Sequence, residues 1–222
     1  MARTHTVAQE RKKPGRPEGA AGFNRDQLLD AAELMFSNQG YAGTSLREIA
    51  AVASVNQALI NYYFGSKYGL FEEVYLRKGG PLSAERMLRL NALDARGDFG
   101  LEEVVRAFME PSVALLGDAR GRAFMRLQAR IHTEPPELSY GLRQKINDES
   151  TRACVQAFRR AKPDMSEAAA FWSMTLMFGA YMFAFSDTHR LDQLAPGICR
   201  PDDAEEVLEY VCAFVVGGIS RL

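Results

Sequence analysis

The chain has 222 residues, enough for a full core in one or two domains, and its 27 basic and 28 acidic residues leave a net charge of −1, which gives no case for an acidic partner. Five cations (Arg3, Arg11, Lys12, Lys13, Arg16) stand before residue 18 against the single acid Glu10, so a basic arm precedes a near-neutral body. Three widely spaced cysteines without a CxxC pair (Cys154, Cys199, Cys212) exclude a disulfide framework and a zinc site and fit a reducing cytoplasm. No apolar run follows the basic start, so no secretory signal is expected.

In chain order, residues 1–21 read as a flexible arm, polar and broken by Pro14, Gly15, Pro17 and Gly19. Within it "KKPGRP" (12–17) resembles an AT-hook core, which would put Arg16 in a narrow minor groove. Asn24 with Gln27 forms a capping box, Leu28, Ala31, Ala32, Met35 and Phe36 give an apolar stripe, and Gly40 closes a first helix. Thr44 or Ser45 caps a second, with Glu48 answering Ser45 and Leu46, Ile49, Ala50 and Ala53 facing inward. Ser54-Val55 makes a tight turn, Asn56 to Tyr62 a short third helix, and Ser66 caps a fourth to about Lys78. Gly79-Gly80-Pro81 reads as the clearest internal boundary, either separating domains 22–80 and 81–222 or only bending one long helix. Further helices are expected at about 82–93, 100–116, 120–132, 137–162, 166–187 and 203–219, with Pro111 kinking or dividing the second of these. No run alternates like a strand, so the fold class is all-α.

Two short helices joined by a tight turn, the second showing hydrogen-bonding side chains, have the geometry of a helix-turn-helix. Val55, Ile60 and Phe64 are its anchors, and Ala50 allows the close crossing. Asn56, Gln57, Ala58, Asn61 and Tyr62 remain outward, and such side chains suit adenine edges and thymine methyls. Tyr63, Lys67, Arg47 and the hydroxyls of Thr44 and Ser45 are placed for phosphates, Arg47 also for a base. The stretch "SLREIAAVASVNQALINYYFGSKYGLF", preceded by "QLLDAAELMFSNQGYAGT", resembles the N-terminal domain of the tetracycline-repressor family of bacterial transcriptional regulators. The match runs over about residues 22 to 78 and includes the Gly-Tyr-x-x-Thr-Ser link, the Ile-Ala pair and the Tyr-Phe-x-Ser-Lys exit. Ser54 departs from it, standing where the family most often has Gly, and must bear a left-handed conformation.

The resemblance implies a ligand-responsive repressor, cytoplasmic and without cofactor. It also implies a palindromic DNA operator, a homodimer through the helices near 166–187 and 203–219, and an inducer cavity for a small apolar or aromatic effector. The charge-free stretch 168–186 approaches the ~20 residues of a membrane span. Its flanks carry no clustered Lys or Arg, and it separates into a large face (Phe171, Met174, Phe178, Met182, Phe185) and a small one (Ala169, Ser173, Ala180, Ala184), so a buried or paired helix is expected instead. Catalysis is not expected, since His5, His132 and His189 sit in no nucleophile motif.

Overall fold

A computed structural model describes residues 24–186 and 189–222. The arm, with Arg16 and its minor-groove expectation, lies outside the described residues. Among those described there are eleven helices and no strand: α1 (Arg25–Gly43), α2 (Leu46–Val52), α3 (Gln57–Phe64), α4 (Lys67–Arg96), α5 (Leu101–Leu115), α6 (Ala119–Ile131), α7 (Pro136–Ile146), α8 (Asp148–Ala161), α9 (Glu167–Phe185), α10 (Arg190–Leu194) and α11 (Ala204–Ile219). Helices α1 to α3 and the start of α4 form a small head. The rest of α4 packs against α5, α7 and α8 in the body, α9 lies among α6, α8 and α11, and α1 also rests on α6.

Most helix starts follow from side-chain caps, each taking up N–H groups that the first turn cannot pair. Asn24 Oδ1 accepts from the amides of Asp26 and Gln27, Ser66 Oγ from Gly69 and Ser166 Oγ from Ala169. At α11 the cap is Asp203.

Two expected helix boundaries are corrected. Of the two readings of Gly79-Gly80-Pro81 the single long helix is found: α4 runs through all three residues, so the helices expected to end near Lys78 and to start at 82 are one. Gly79 is buried where a Cβ would stand 3.0 Å from Ile146 Cγ2, so its glycine serves close packing with α7. Pro81 is exposed, where water can serve the carbonyl that loses its N–H partner. The single helix expected over 137–162 is two, divided at Asn147, whose buried side chain donates from Nδ2 to the Tyr75 hydroxyl (3.4 Å). Of the two outcomes expected at Pro111, division is not found: it lies inside α5, which continues through it. In that stretch the Phe108 carbonyl accepts Arg86 Nε–H (2.9 Å), and Arg86 Nη2 donates to Ser112 Oγ (2.8 Å) and to the Tyr181 hydroxyl (3.1 Å). A wholly buried guanidinium thus serves α5 beside the proline.

The two glycines of the former boundary should respond oppositely to alanine. Gly80 has open space and should gain about 0.5–1 kcal/mol from better helix propensity. Gly79→Ala must push Ile146 aside, and overpacking of about 1–3 kcal/mol outweighs that gain. Thermal and urea unfolding of the two variants should therefore move the midpoint up for Gly80→Ala and down for Gly79→Ala.

Candidate nucleic-acid interface and body cavity

The head is built around Leu28, Leu29, Phe36, Ile49, Ile60, Leu70 and Phe71, all fully or nearly fully buried. Between α2 and α3 the Val55 amide returns to the Ala50 carbonyl (2.9 Å). Ser54 takes the left-handed conformation expected of it, at φ 55°, a cost of about 1–2 kcal/mol for a residue with a Cβ. Where α3 meets α4 the chains approach so closely that a Cβ on Gly69 would lie 2.1 Å from the Phe64 carbonyl oxygen. That contact holds the end of α3 on the first turn of α4.

Leu59, Ile60 and Phe64 turn inward, and Gln57, Ala58, Asn61, Tyr62 and Tyr63 are exposed on the outer side of α3. The Tyr62 and Tyr63 rings meet edge to face at 5.2 Å. Arg47 is exposed on α2, with no carboxylate paired to it among the described residues. Lys67 is half-buried, its Nζ 4.4 Å from the centre of the Tyr41 ring. Burial lowers its pKa, against the pull of Glu134 and Glu48.

Three residues of the expected interface are occupied otherwise. Thr44 is buried, and its hydroxyl donates to the Gly40 carbonyl (2.8 Å), tying down the backbone turn where Gly40 has φ 75°. It has no hydroxyl to offer a phosphate. Ser45 forms the capping box in full: its N–H and hydroxyl both donate to Glu48 Oε2 (3.0 and 2.6 Å), and its Oγ accepts the Glu48 amide (3.2 Å). These bonds hold the Glu48 carboxyl below the usual range, and a phosphate would have to displace it. Asn56 caps α3 rather than riding on it, with Oδ1 taking the Ala58 N–H (2.8 Å).

In the body a cavity of about 650 Å³ opens among α6, α7, α8 and α9. Phe178, Met182 and Tyr140 supply apolar wall, and His132, Arg143, Asn147, Asp148 and Thr151 are among its polar groups. His132 lies 5.2 Å from the Phe178 ring. Burial first, then the charges of Arg143 and Arg86, push its pKa down to about 4, so the imidazole is neutral at pH 7. His132, Phe178 and Met182 of this wall stood out in the sequence; Arg143 and Asn147 did not, because the stretch 137–162 reads as one helix whose polar face is solvated.

A second concavity, of about 810 Å³, follows α9 and α11 and shares Thr175 and Gly179 with the first. Leu176 and Phe214 (75% exposed) line it, and further large apolar groups on the same two helices stand in solvent: Trp172 (63% exposed) and Phe183 on α9 and Tyr210 on α11. The expected large and small faces of α9 are not the observed ones. Met174, Met182 and Phe185 are buried as foreseen, but Ser173 is buried with them and Phe171 is exposed. Helix α9 has the length and apolarity of a membrane span, and it buries Met174, Met177, Tyr181 and Phe185 against the body.

Comparison with known proteins accords with this geometry. The family model described as bacterial regulatory proteins of the tetR family matches residues 28–74, and the tetracyclin repressor-like C-terminal domain matches 106–218. The chain is 46% identical over 50 residues to the probable HTH-type transcriptional regulator YttP of Bacillus subtilis, 22% of this chain and 24% of that protein. It is 37% identical over 87 residues to the HTH-type transcriptional repressor NicS of Pseudomonas putida, 37% of this chain and 40% of that one. It therefore aligns with well under half the length of either relative. The crystal structure of AibR, in complex with isovaleryl coenzyme A and operator DNA, superposes with a TM-score of 0.61 at 16% identity over 85% of this chain and 96% of that one.

The depressed His132 pKa has a consequence for stability. The unfolded chain takes up this proton near pH 6.5 and the folded one only near pH 4, so stability is full above about pH 6.5 and falls as the pH drops through that window. Between pH 7 and pH 4.5 the native protein should lose about 2 kcal/mol more than His132→Gln, measured by urea unfolding at each pH.

Proposed function

This chain belongs to the tetracycline-repressor family of bacterial regulatory proteins, and from that premise we propose that it acts as a homodimeric repressor. It reads a palindromic operator with α3 and releases it when a small molecule fills the cavity among α6 to α9. The observation that carries the DNA reading is the outer side of α3, where Gln57, Ala58 and Asn61 stand exposed on a helix anchored by Leu59, Ile60 and Phe64. Gln and Asn can each bond an adenine edge with two hydrogen bonds, and the Ala58 methyl suits a thymine methyl. Arg47, Tyr62, Tyr63 and Lys67 surround that helix and suit phosphates, which set register without reading sequence.

A single head makes few contacts, and paired heads meeting successive groove faces are the usual solution. The exposed Trp172, Phe183, Tyr210 and Phe214 support pairing through α9 and α11 about a two-fold axis.

Helix α6 supports the coupling. It ends at His132, its C-cap at the cavity, and carries Arg130, whose Nη2 donates to the Asn38 carbonyl of α1 (3.1 Å), and Arg120 paired with Asp30 (3.0 Å). A ligand that favours one position of α6 thereby favours one position of α1, and DNA must weaken ligand binding by the factor by which the ligand weakens DNA binding.

Selection from a random DNA pool should return a palindrome. Against it, Gln57→Ala and Asn61→Ala should each cost about 1–3 kcal/mol and relax preference at single positions. Lys67→Ala should weaken all sequences alike and flatten the salt dependence. Retained preference in both of the first two variants would remove α3 as the reading element.

Phe183→Glu with Phe214→Glu tests the pairing surface. Both residues are solvent-exposed in the single chain, so the helical content should be kept while the paired surface acquires unpaired charge. Sedimentation should give a folded monomer with operator affinity lowered by about 100-fold or more. A stable dimer of this variant would place the interface elsewhere.

A further inference from the structure

We infer that the cavity among α6 to α9 takes an amphiphilic monocarboxylate, with its carboxylate at Arg143 and His132 and its apolar body along Phe178 and Met182. This rests on reading the cavity as the effector site.

The charge around the cavity is one-sided. Arg143 lines it with a buried Nε that has no hydrogen-bond partner, and no carboxylate pairs with that guanidinium among the described residues. His132, also on the wall, has a buried Nε2 without a partner. Behind the Phe178 and Tyr181 rings lies Arg86, wholly buried and also without a carboxylate, whose charge is felt at His132. The one acid on the wall, Asp148, is half-exposed and lies 3.8 Å from Arg152 one turn along α8.

Buried polar atoms are nearly always paired, and a buried cation without a counter-charge is costly. Several such groups around one cavity describe the chemistry that would complete them. Arg143 offers N–H donors, and the neutral imidazole can turn an N–H toward an acceptor. A carboxylate accepts all of these and supplies the missing negative charge. One guanidinium and a neutral imidazole on the wall match a single charge, not the two of a phosphate monoester. The Phe178, Met182 and Tyr140 side chains take up an apolar body, and about 650 Å³ suits a small amphiphile.

The test uses the full chain and matched probes: octanoate against octanamide, and 4-phenylbutyrate against its amide, by thermal shift and calorimetry. The acids should bind, and each should bind about tenfold or more tightly than its amide. Arg143→Gln should bring the acid down to the amide, Arg143→Lys should retain part of the preference, and Thr151→Trp, which fills the cavity, should abolish both. Equal binding of acid and amide, an acid preference that survives Arg143→Gln, or no binding by either acid would overturn the inference. Operator release separates this from the effector reading. Amides that bind only when Thr151 is intact and release DNA would sink the anionic ligand and leave the effector site standing. Acids that bind through Arg143 without changing operator affinity would leave the anion site and remove its regulatory role.

Discussion

A buried carboxylate joins the head to the body. Glu33 of α1, 2% exposed, accepts Arg77 Nη2 (2.8 Å) and Lys78 Nζ (2.5 Å) from α4. Asp30, one turn earlier, takes the same guanidinium (2.7 Å) and Arg120 of α6 (3.0 Å). A buried pair of this kind adds little net stability over an apolar replacement, yet removing one partner alone costs about 3–5 kcal/mol because the other is stranded. It therefore acts as a registration device. Both cations stand immediately before Gly79, so the ion pairs and the close contact with Ile146 fix the same turn of α4 from two sides. The positions of α1, α6 and the whole reading head follow from that turn.

The body holds a second isolated charge in a different manner. The Arg86 guanidinium stacks over Phe108 (3.9 Å to the ring centre) and meets only neutral acceptors. Burial pushes the Tyr181 hydroxyl up to about 12, so that acceptor stays neutral too. The guanidinium is kept by hydrogen bonds and ring electrons, and it links α4, α5 and α9 where Pro111 weakens the ladder of α5. The thiol of Cys154, raised by burial, is likewise inert in this core.

Most of the head was legible in the sequence because it is written in local chemistry. Asn24, Ser45 with Glu48, and Ser66 mark helix starts through bonds that span three residues, and Ser54 in its left-handed turn is a local constraint as well. The errors share one cause, which is tertiary contact. Thr44 carries an ordinary surface hydroxyl in sequence, and only the fold around Gly40 turns it inward. Gly79, Gly80 and Pro81 read as punctuation, and it takes the distant Ile146 to show one of the glycines as a packing residue. The break at Asn147 depends on Tyr75, seventy-two positions away. The cavity was least legible, since its polar wall is assembled from α6, α7, α8 and α9 and no single helix displays it.

The continuity of α4 gives the molecule a gear ratio. From Gly79 back to Lys67 the helix is a rod about 20 Å long, so a tilt of about ten degrees at Gly79 carries its far end roughly 3.5 Å, close to the ~3.4 Å rise of one base pair. The fulcrum is Ile146, and the next residue, Asn147, belongs to the cavity wall. A small displacement at that fulcrum would thus be magnified at α3 to about the spacing of one base pair of the proposed operator. In the homodimer proposed above, two heads on one axis would double that displacement, and losing the operator would be a matter of phase between protein and groove, with the α3 side chains still in place.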